Sequence, residues 1–325
     1  MSSTRQKLID LLSDAGTNYI SGQYLSDTLN ISRSAVWKHM NVLKEDGYEI
    51  EAKAKKGYRI LQFPNKVSEN TISWGLGTKW LGKKIIHKTS MPSTQALAHD
   101  LARNGAKHGT VIIADEQTTG KGRMGRTWFS KKGKAISMSM ILRPNLLPYL
   151  TPQLTLLTAT VVAEVLQQHT GSTVQIKWPN DILINGQKMT GILTEMQAEQ
   201  DQVQYVIIGV GININHTAKD LPDLSEYQAT SLYMATQQKW DIIPIIQQIL
   251  RTFEEKYAMF LKDGFNPVKQ SWESYGFRMN ETLQITSGKE TFNAVFLGIA
   301  EDGALLAKRL NGNIESIYSG EITWH

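Results

Sequence analysis

Apolar residues recur at helical spacing in some stretches and alternate in others, and the changes of period divide the chain. Leu8, Ile9, Leu11 and Leu12 make the apolar face of a first helix, and Ser21-Gly22-Gln23-Tyr24-Leu25 opens a second with Leu25, Thr28 and Leu29 inward. A third begins after Ile31, with Ser32 as N-cap and Ala35, Val36, Met40 and Leu43 on its inner side. Tyr48 to Lys53 and Gly57 to Leu61 then read as a hairpin with the basic tip AKAKKG. Helix, short turn, helix and hairpin predict a winged helix-turn-helix. Gln62 to Asn70, with Pro64 and Asn65, has the polarity of a linker, where the fold changes.

Beyond it the pattern predicts mixed α/β structure. Lys84 to Lys88 reads as a strand, and Ser93 and Thr94 precede a helix bearing Ala96, Leu97 and Leu101. Val111 to Ala114 and the alternating Ala135 to Leu142 are strands, and Thr151-Pro152 starts a long helix with Leu154, Leu157, Val161 and Val165 inward. Ile182 to Ile184 and Met189 to Glu195 are joined at Asn185-Gly186, a strong hairpin signal. That hairpin is expected to bring Asn180 and Asp181, at the entrance of one strand, near Lys188 at the start of the other. Ile242 to Leu261 is an amphipathic helix with Pro244 in its first turn. From Arg278 onward, turns at Ser287-Gly288, Glu301-Asp302-Gly303 and Asn311-Gly312 predict a small all-β barrel.

Charge singles out one loop. The chain is only +5 overall, yet Gln117 to Lys134 carries six Lys or Arg, no acid, and glycines at Gly120, Gly122 and Gly125. Glycines let backbone N–H groups approach a ligand, so Lys121, Arg123 and Arg126 fit an anion cradle; a solvated basic hairpin is the alternative. Gly-x-Gly-x-x-Gly also describes a dinucleotide-binding turn, but that turn opens into a helix. Here a strand follows. The loop is therefore expected to join strand to strand, as a basic flap over a sheet.

Other chemistry is narrowed by absence. The 325 residues contain no cysteine, which excludes disulfides, a thiol nucleophile and Cys-ligated zinc. The seven histidines, at 39, 87, 99, 108, 169, 216 and 325, form no i, i+4 pair, and no metal site is expected. The start MSSTRQKLIDLL has no signal-peptide core, and no segment approaches eighteen apolar residues, so a cytoplasmic protein without a membrane span is expected. Ser93 or Thr94 can cap a helix and also face a polar ligand, and Asn213 in GVGININ offers both donor and acceptor.

The amino-terminal region has chemistry suited to DNA. Ser32, Arg33 and Ser34 at the start of the third helix can reach base edges, Gln23 and Tyr24 of the second helix and Trp37 of the third are also expected to contact DNA, and Lys38, Lys53, Lys55, Lys56 and Arg59 can meet phosphates. A hairpin that contacts protein is the alternative. From Arg33 to Arg59 seven basic residues face four acidic, a modest excess that favours a dimer on a two-fold site.

GKGRMGRTW, KWPNDILI followed by GQKMTGIL, and GVGININ occur in that order and at these separations in biotin–protein ligases. With a winged helix in front, the chain closely resembles, over essentially its full length, the bacterial ligases that double as biotin-operon repressors. The resemblance implies an α+β multidomain chain: winged helix at 1–63, a class II synthetase-like catalytic domain at 64–277, and an SH3-like barrel at 278–325. It implies that biotin and ATP form biotinyl-5′-AMP with Mg²⁺, and that a lysine of a biotin carboxyl carrier domain, in acetyl-CoA carboxylase or pyruvate carboxylase, receives the biotin. By the same resemblance Ser93, Thr94, Gln95, Gln117, Lys121, Gly122 and Arg123 contact biotin or the adenylate. Lys188 faces the reacting groups, Asn180 and Asn213 the adenine, and Trp128 closes over the adenylate. Lys121 and Gln95 are Arg and Asn in some relatives, so the donor function stays while the fork geometry changes. Arg123, Lys188 and Asp181 are the expected catalytic residues, Asp181 to orient or deprotonate the carrier amine. Biotinyl-AMP is expected to act as corepressor, favouring a homodimer on operator DNA. A metabolite-sensing transcription factor without ligase activity and a lipoate-type acyl ligase are the competing readings; keeping Lys188 and Asp181 beside the cradle favours an enzyme over a sensor, and the motif strings match the biotin branch rather than the lipoate one.

Overall fold

The computed structural model describes residues 4–221, 229–288 and 290–324, so His325 lies outside the described residues. The chain divides into two compact units, Met1–Gly77 and Thr78–His325.

In the first unit α1 (Thr4–Asp14), α2 (Gly22–Leu29) and α3 (Arg33–Glu45) precede the hairpin β1 (Glu49–Lys53) and β2 (Gly57–Gln62). Ser21 and Ser32 cap α2 and α3 by accepting from the N–H groups of Tyr24 and Ala35. Asn30, at φ 52°, turns the chain between them. Leu8, Leu12, Leu25, Val36, Met40 and Leu43 fill the core with Ile50 and Ile60 from the hairpin. Ile20 pairs with Tyr58, adding a short third strand to the wing. Gly57 has φ +112° there, and a Cβ would stand 1.9 Å from the Ile20 carbonyl oxygen, so the wing needs glycine at this position. The segment expected to be linker does not simply leave the unit: it runs into α4 (Glu69–Ser73), and Trp74 stacks on Phe63 with centroids 4.5 Å apart.

The second unit is built on a seven-stranded sheet. Its elements run β3 (Ile85–Lys88), α5 (Thr94–Arg103), β4 (Thr110–Ala114), the small pair β5 (Gly120–Lys121) and β6 (Thr127–Trp128), then β7 (Ala135–Leu142) and α6 (Pro152–Thr170). They continue through β8 (Val174–Lys177), β9 (Asp181–Ile184), β10 (Gln187–Glu199), β11 (Gln202–Asn213), α7 (Leu232–Thr236), α8 (Ile242–Asp263) and α9 (Asn266–Tyr275). The strand order is β3-β4-β7-β11-β10-β9-β8, with β3 and β4 parallel and the other pairs antiparallel. α6 and α8 pack on one face and α5 on the other. Pro148–Thr170 amends the expectation that no segment could span a membrane, since it has the length and hydropathy; 72% of that window is buried, as in a core helix.

Register decides which residues share the α5 face. Ser137 pairs with Gly211, Gly211 with Gly191, and Gly191 with Asp181; one step along, Ser139 pairs with Gly209. Paired residues point to the same side, so serines and glycines make a floor free of large side chains in mid-sheet. Ile112, Ile141 and Ile207, on the same face, pack against Ala98 and Ala102 of α5.

The C-terminal strands β12 (Thr282–Ser287), β13 (Glu290–Ile299), β14 (Leu305–Arg309), β15 (Ile314–Ile317) and β16 (Glu321–Thr323) form one antiparallel sheet, in the order β15-β14-β13-β12-β16. Leu283, Ile285, Phe296, Leu305 and Ile322 are its core. It is tied to the larger sheet region by Trp178, whose Nε1 donates to the Gly303 carbonyl at 3.3 Å, and by Gln153, whose Nε2 donates to that of Glu301 at 3.0 Å.

Candidate active site

The basic loop is a two-strand flap, with Gly120 opposite Trp128 and Lys121 opposite Thr127. A helical turn, Arg123–Gly125, closes its tip; Met124 at φ 54° and Gly125 at φ 74° reverse the chain there. The loop joins strand to strand, as its sequence requires. Trp128 folds back onto the floor: a Cβ on Gly211 would lie 2.4 Å from its Cε2, and one on Gly191 3.3 Å from its Cζ3. Its Nε1 is buried and has no hydrogen-bond partner.

The loop's cations are not equivalent. Arg123 Nη1 donates to Asn180 Oδ1 at 3.0 Å. Burial lowers the pKa of this guanidinium from its ordinary value, a shift opposed by the nearby Asp181 charge and reinforced by Arg126. Arg126 pairs with Glu321 of β16. Lys131 and Lys134 both reach Asp220, at 2.8 and 2.5 Å. Those two lysines, with the Thr217 N–H and hydroxyl, hold the Asp220 carboxyl far below the usual carboxylate range. Lys121 is exposed and forms no ion pair among the described residues.

At the α5 end, Ser93 caps the helix by accepting from the Ala96 N–H. Gln117 Oε1 accepts from the Thr94 N–H at 2.7 Å and from its hydroxyl at 3.0 Å. Thr94 also bonds Ser139 Oγ at 2.9 Å. Gln95 is engaged at both ends of its amide: Oε1 accepts from Ser139 at 3.0 Å, and Nε2 donates to Glu195 at 2.9 Å. This geometry makes Gln95 a brace within the wall. Gly209 must be bare, since a Cβ would approach Gln95 Oε1 to 2.6 Å.

Asn180 lies beyond the cis Trp178–Pro179 bond, and its Nδ2 donates to the Ile192 carbonyl at 2.9 Å. Lys188 Nζ donates to Asp181 Oδ2 at 2.8 Å, while Asp181 Oδ1 is buried without a partner. These residues meet, but not by the expected route. The two strand starts are at opposite ends of the hairpin, with Lys188 opposite Leu183 and Asp181 opposite Gly191. The pair is diagonal, roughly 7–8 Å between backbones, a gap the long lysine side chain spans. Asn213 Nδ2 donates to the Thr230 carbonyl at 3.0 Å, and its Oδ1 is buried and unpartnered. No group of three metal-ligating side chains occurs among the described residues.

Ser139, Glu195, Asp220 and Glu321 were not singled out from sequence. Only Ser139 carried a local signal, the Ser-x-Ser alternation on β7. The arrangement is a floor of small residues under an indole, a polar wall at one end, and Arg123 and Lys188 at the other. It is suited to holding anions side by side, without a protein nucleophile.

On the first unit, Arg33, Ser34, Trp37 and Lys38 lie exposed along α3, and Tyr24 is exposed on α2. Gln23 Nε2 donates to Asp27 at 2.8 Å, and Ser32 Oγ, besides capping, bonds Ser34 Oγ at 2.8 Å. Lys53, Lys55 and Lys56 are exposed on the wing. Arg59, expected to meet phosphate, is already paired: its Nε donates to Glu51 at 2.6 Å and its guanidinium lies over Tyr19.

Three family models match: an HTH domain at residues 4–59, the biotin/lipoate A/B protein ligase family at 87–213, and a biotin protein ligase C-terminal domain at 280–323. The chain is 47% identical over 321 residues to a Bacillus spizizenii protein named bifunctional ligase/repressor BirA, covering 99% of this chain and 98% of that one. An Escherichia coli protein of the same name is 28% identical over 98% of this chain and 96% of its own. Among solved structures, an Aquifex aeolicus biotin protein ligase in complex with biotin and ATP matches with a TM-score of 0.63 at 31% identity, over 74% of this chain and 98% of that chain.

Proposed function

The chain belongs to the bifunctional biotin ligase/repressors, and from that premise we propose how its own residues divide the work. It is an ATP-dependent biotin–protein ligase carrying a DNA-binding repressor region. In the first step a biotin carboxylate oxygen attacks the α-phosphorus of ATP, and pyrophosphate leaves with the electrons of the broken P–O bond. Both reactants are anionic, so the barrier is largely repulsion and positioning. Arg123, braced by Asn180, and Lys188, braced by Asp181, supply the opposing charge, with Lys121 and the Gly122 backbone completing the flap. Ser93, Thr94 and Gln117 form the biotin end, with Gln95 holding that wall. Trp128 and Asn213 serve the adenine end.

In the second step the carrier lysine attacks the mixed-anhydride carbonyl and AMP leaves. That amine must arrive unprotonated. Asp181, whose second oxygen has no protein partner, orients it or takes its proton. The same oxygen fits Mg²⁺, which supplies charge neutralisation on the leaving pyrophosphate when bound. With no three-residue ligand cluster among the described residues, the phosphates and water would provide most of its shell.

The observation that carries this reading is the pairing of Arg123 with Asn180 and of Lys188 with Asp181 beside the glycine floor. Pyrophosphate release and carrier biotinylation, assayed separately, test it. Lys188→Ala should slow adenylate formation by about 100-fold or more. Asp181→Asn should slow transfer from preformed adenylate, and unchanged rates in both steps remove Asp181 from the mechanism. Mass spectrometry of a carrier offered biotin or lipoate with ATP tests the choice of acid.

Repression places the chain in the cytoplasm with operator DNA. Gln23, Tyr24, Ser32, Arg33, Ser34 and Trp37 would read bases, and Lys38, Lys55 and Lys56 would meet phosphate. Biotinyl-AMP, by ordering the flap, would favour a homodimer, and operator DNA would then tighten adenylate binding by the same factor. Sedimentation with and without adenylate, and operator titration with and without biotin plus ATP, test this; an unchanged monomer–dimer equilibrium counts against it.

A further inference from the structure

Ser137 lies at the centre of β7, and its side chain is 1% exposed. Among the described residues its hydroxyl has no hydrogen-bond partner. The next serine on that face, Ser139, behaves differently, bonding both Thr94 and Gln95. An unpartnered buried hydroxyl destabilises a fold relative to alanine, so packing alone gives no reason for serine here.

The surroundings supply one. Ser137 is flanked in register by Ala114 on β4 and Gly211 on β11, and Gly211 carries the Trp128 indole. Three more buried polar atoms without partners occur around the same floor: Trp128 Nε1, Asn213 Oδ1 and Asp181 Oδ1. Orphaned polar atoms are individually costly, and four along one sheet face mark a surface shaped for a polar partner. A floor of Gly191 and Gly211 under an aromatic side chain suits a flat ring. The Thr94–Gln95–Gln117 network gathers around Ser139, the next serine along the face, and no bond from it reaches Ser137 among the described residues.

Resting on the ligase reading above, we infer that Ser137 contacts the ligand directly, its hydroxyl hydrogen-bonding the planar base of the acyl-adenylate once the Trp128 ring yields the floor. Asn213 Oδ1 and Ser137 Oγ then engage the base from neighbouring strands. Biotin alone, held at the other end, does not touch Ser137.

The test measures the affinity of the full-length chain and its Ser137→Ala variant for biotin and for a non-hydrolysable sulfamoyl analogue of biotinyl-AMP. The variant should bind the analogue about 5- to 10-fold more weakly, the loss of one hydrogen bond, with biotin affinity unchanged and the ligand-free melting temperature unchanged or higher. Equal analogue affinity in the two proteins overturns the assignment, and equal weakening for both ligands assigns Ser137 to the floor's architecture instead. If the unsubstituted chain fails to bind the analogue, the ligase reading fails and Ser137's role with it.

Discussion

Gly211→Ala isolates the contact between flap and floor. The new Cβ would stand 2.4, 2.6 and 2.8 Å from Cε2, Cζ2 and Nε1 of Trp128, where ordinary carbon contacts lie near 3.5–4.0 Å. The indole must therefore retreat by about 1 Å. Gly211 does not use a left-handed backbone, so alanine itself is tolerated in β11, and β6, only two residues long, yields before the sheet does. Stability should change by less than about 1 kcal/mol, since the substitution also removes backbone freedom from the unfolded chain. Adenylate formation should fall about 10- to 100-fold, the scale of a 1 Å misplacement near reacting groups. Gly191→Ala is the internal control: its Cβ would meet Cζ3 at 3.3 Å, a conflict relieved by a few tenths of an ångström, and activity should fall by less than about 5-fold. Pyrophosphate exchange and thermal melting read the two effects apart. Trp128→Ala completes a cycle: displacement of the indole alone predicts little further cost from Gly211→Ala in that background, whereas additive losses would mean that the new methyl meets the ligand seated on the floor. Equal losses from the two glycine variants would refute the reasoning.

His216 is 1% exposed, and burial brings its pKa down from 6.5 to about 4. Between those values the unfolded chain binds a proton that the folded chain refuses, so stability is full above pH 6.5 and falls by at most about 3 kcal/mol as the pH drops to 4; denaturant midpoints across that range should flatten in His216→Gln. Glu254 accepts from the backbone N–H groups of Lys79, Trp80 and Leu81, the last two at 2.8 Å. Glu254→Gln, which cannot satisfy all three as a charged acceptor, should cost about 1–3 kcal/mol in chemical denaturation. Asp220→Asn should release the turn at Lys131 and Lys134, seen as faster tryptic cleavage there and a lower melting temperature, since the buried carboxylate that both lysines and Thr217 hold loses its charge. Arg33→Ala should weaken operator binding while biotinylation of a carrier proceeds unchanged.

What the sequence made legible was local. Asn185-Gly186 specified a two-residue turn, with φ of 51° and 78°, because few residues tolerate that backbone. The flap was readable for a similar reason, its glycines, cations and tryptophan lying within nine residues. Contacts that position those groups come from far away: Gln95 meets Glu195 one hundred residues on, and Lys134 meets Asp220 eighty-six residues on. Acids like these carry no local signature. α7 is only five residues long, and α9 was hidden because its Pro267 looks like a breaker while serving in the first turn. Even the Lys188–Asp181 meeting was anticipated for the wrong reason, since it depends on a side chain's length rather than on where two strands begin.

Distance also changes the meaning of the charge count. Six cations in one loop suggest an intense anion trap, but three of them, Arg126, Lys131 and Lys134, are paired with carboxylates from other elements. The pairs differ in strength. Asp220 is 5% exposed and also accepts from Thr217, so the base of the flap is firmly held. Arg126 and Glu321 are 67% and 47% exposed, and such a surface pair contributes about 0–1 kcal/mol and weakens with salt. An incoming phosphate can therefore draw Arg126 away at small cost, while the lysines stay put. That makes the flap firm at its base and weakly latched at its tip, with the latch supplied by the C-terminal barrel. Glu321→Gln should then loosen the flap without unfolding the barrel, raising the rate of tryptic cleavage at Arg126 in the ligand-free chain. Cleavage after adenylate binding should return to the unsubstituted rate, because the ligand takes over the role of Glu321; protection that stays lost would show that the barrel holds the closed flap as well.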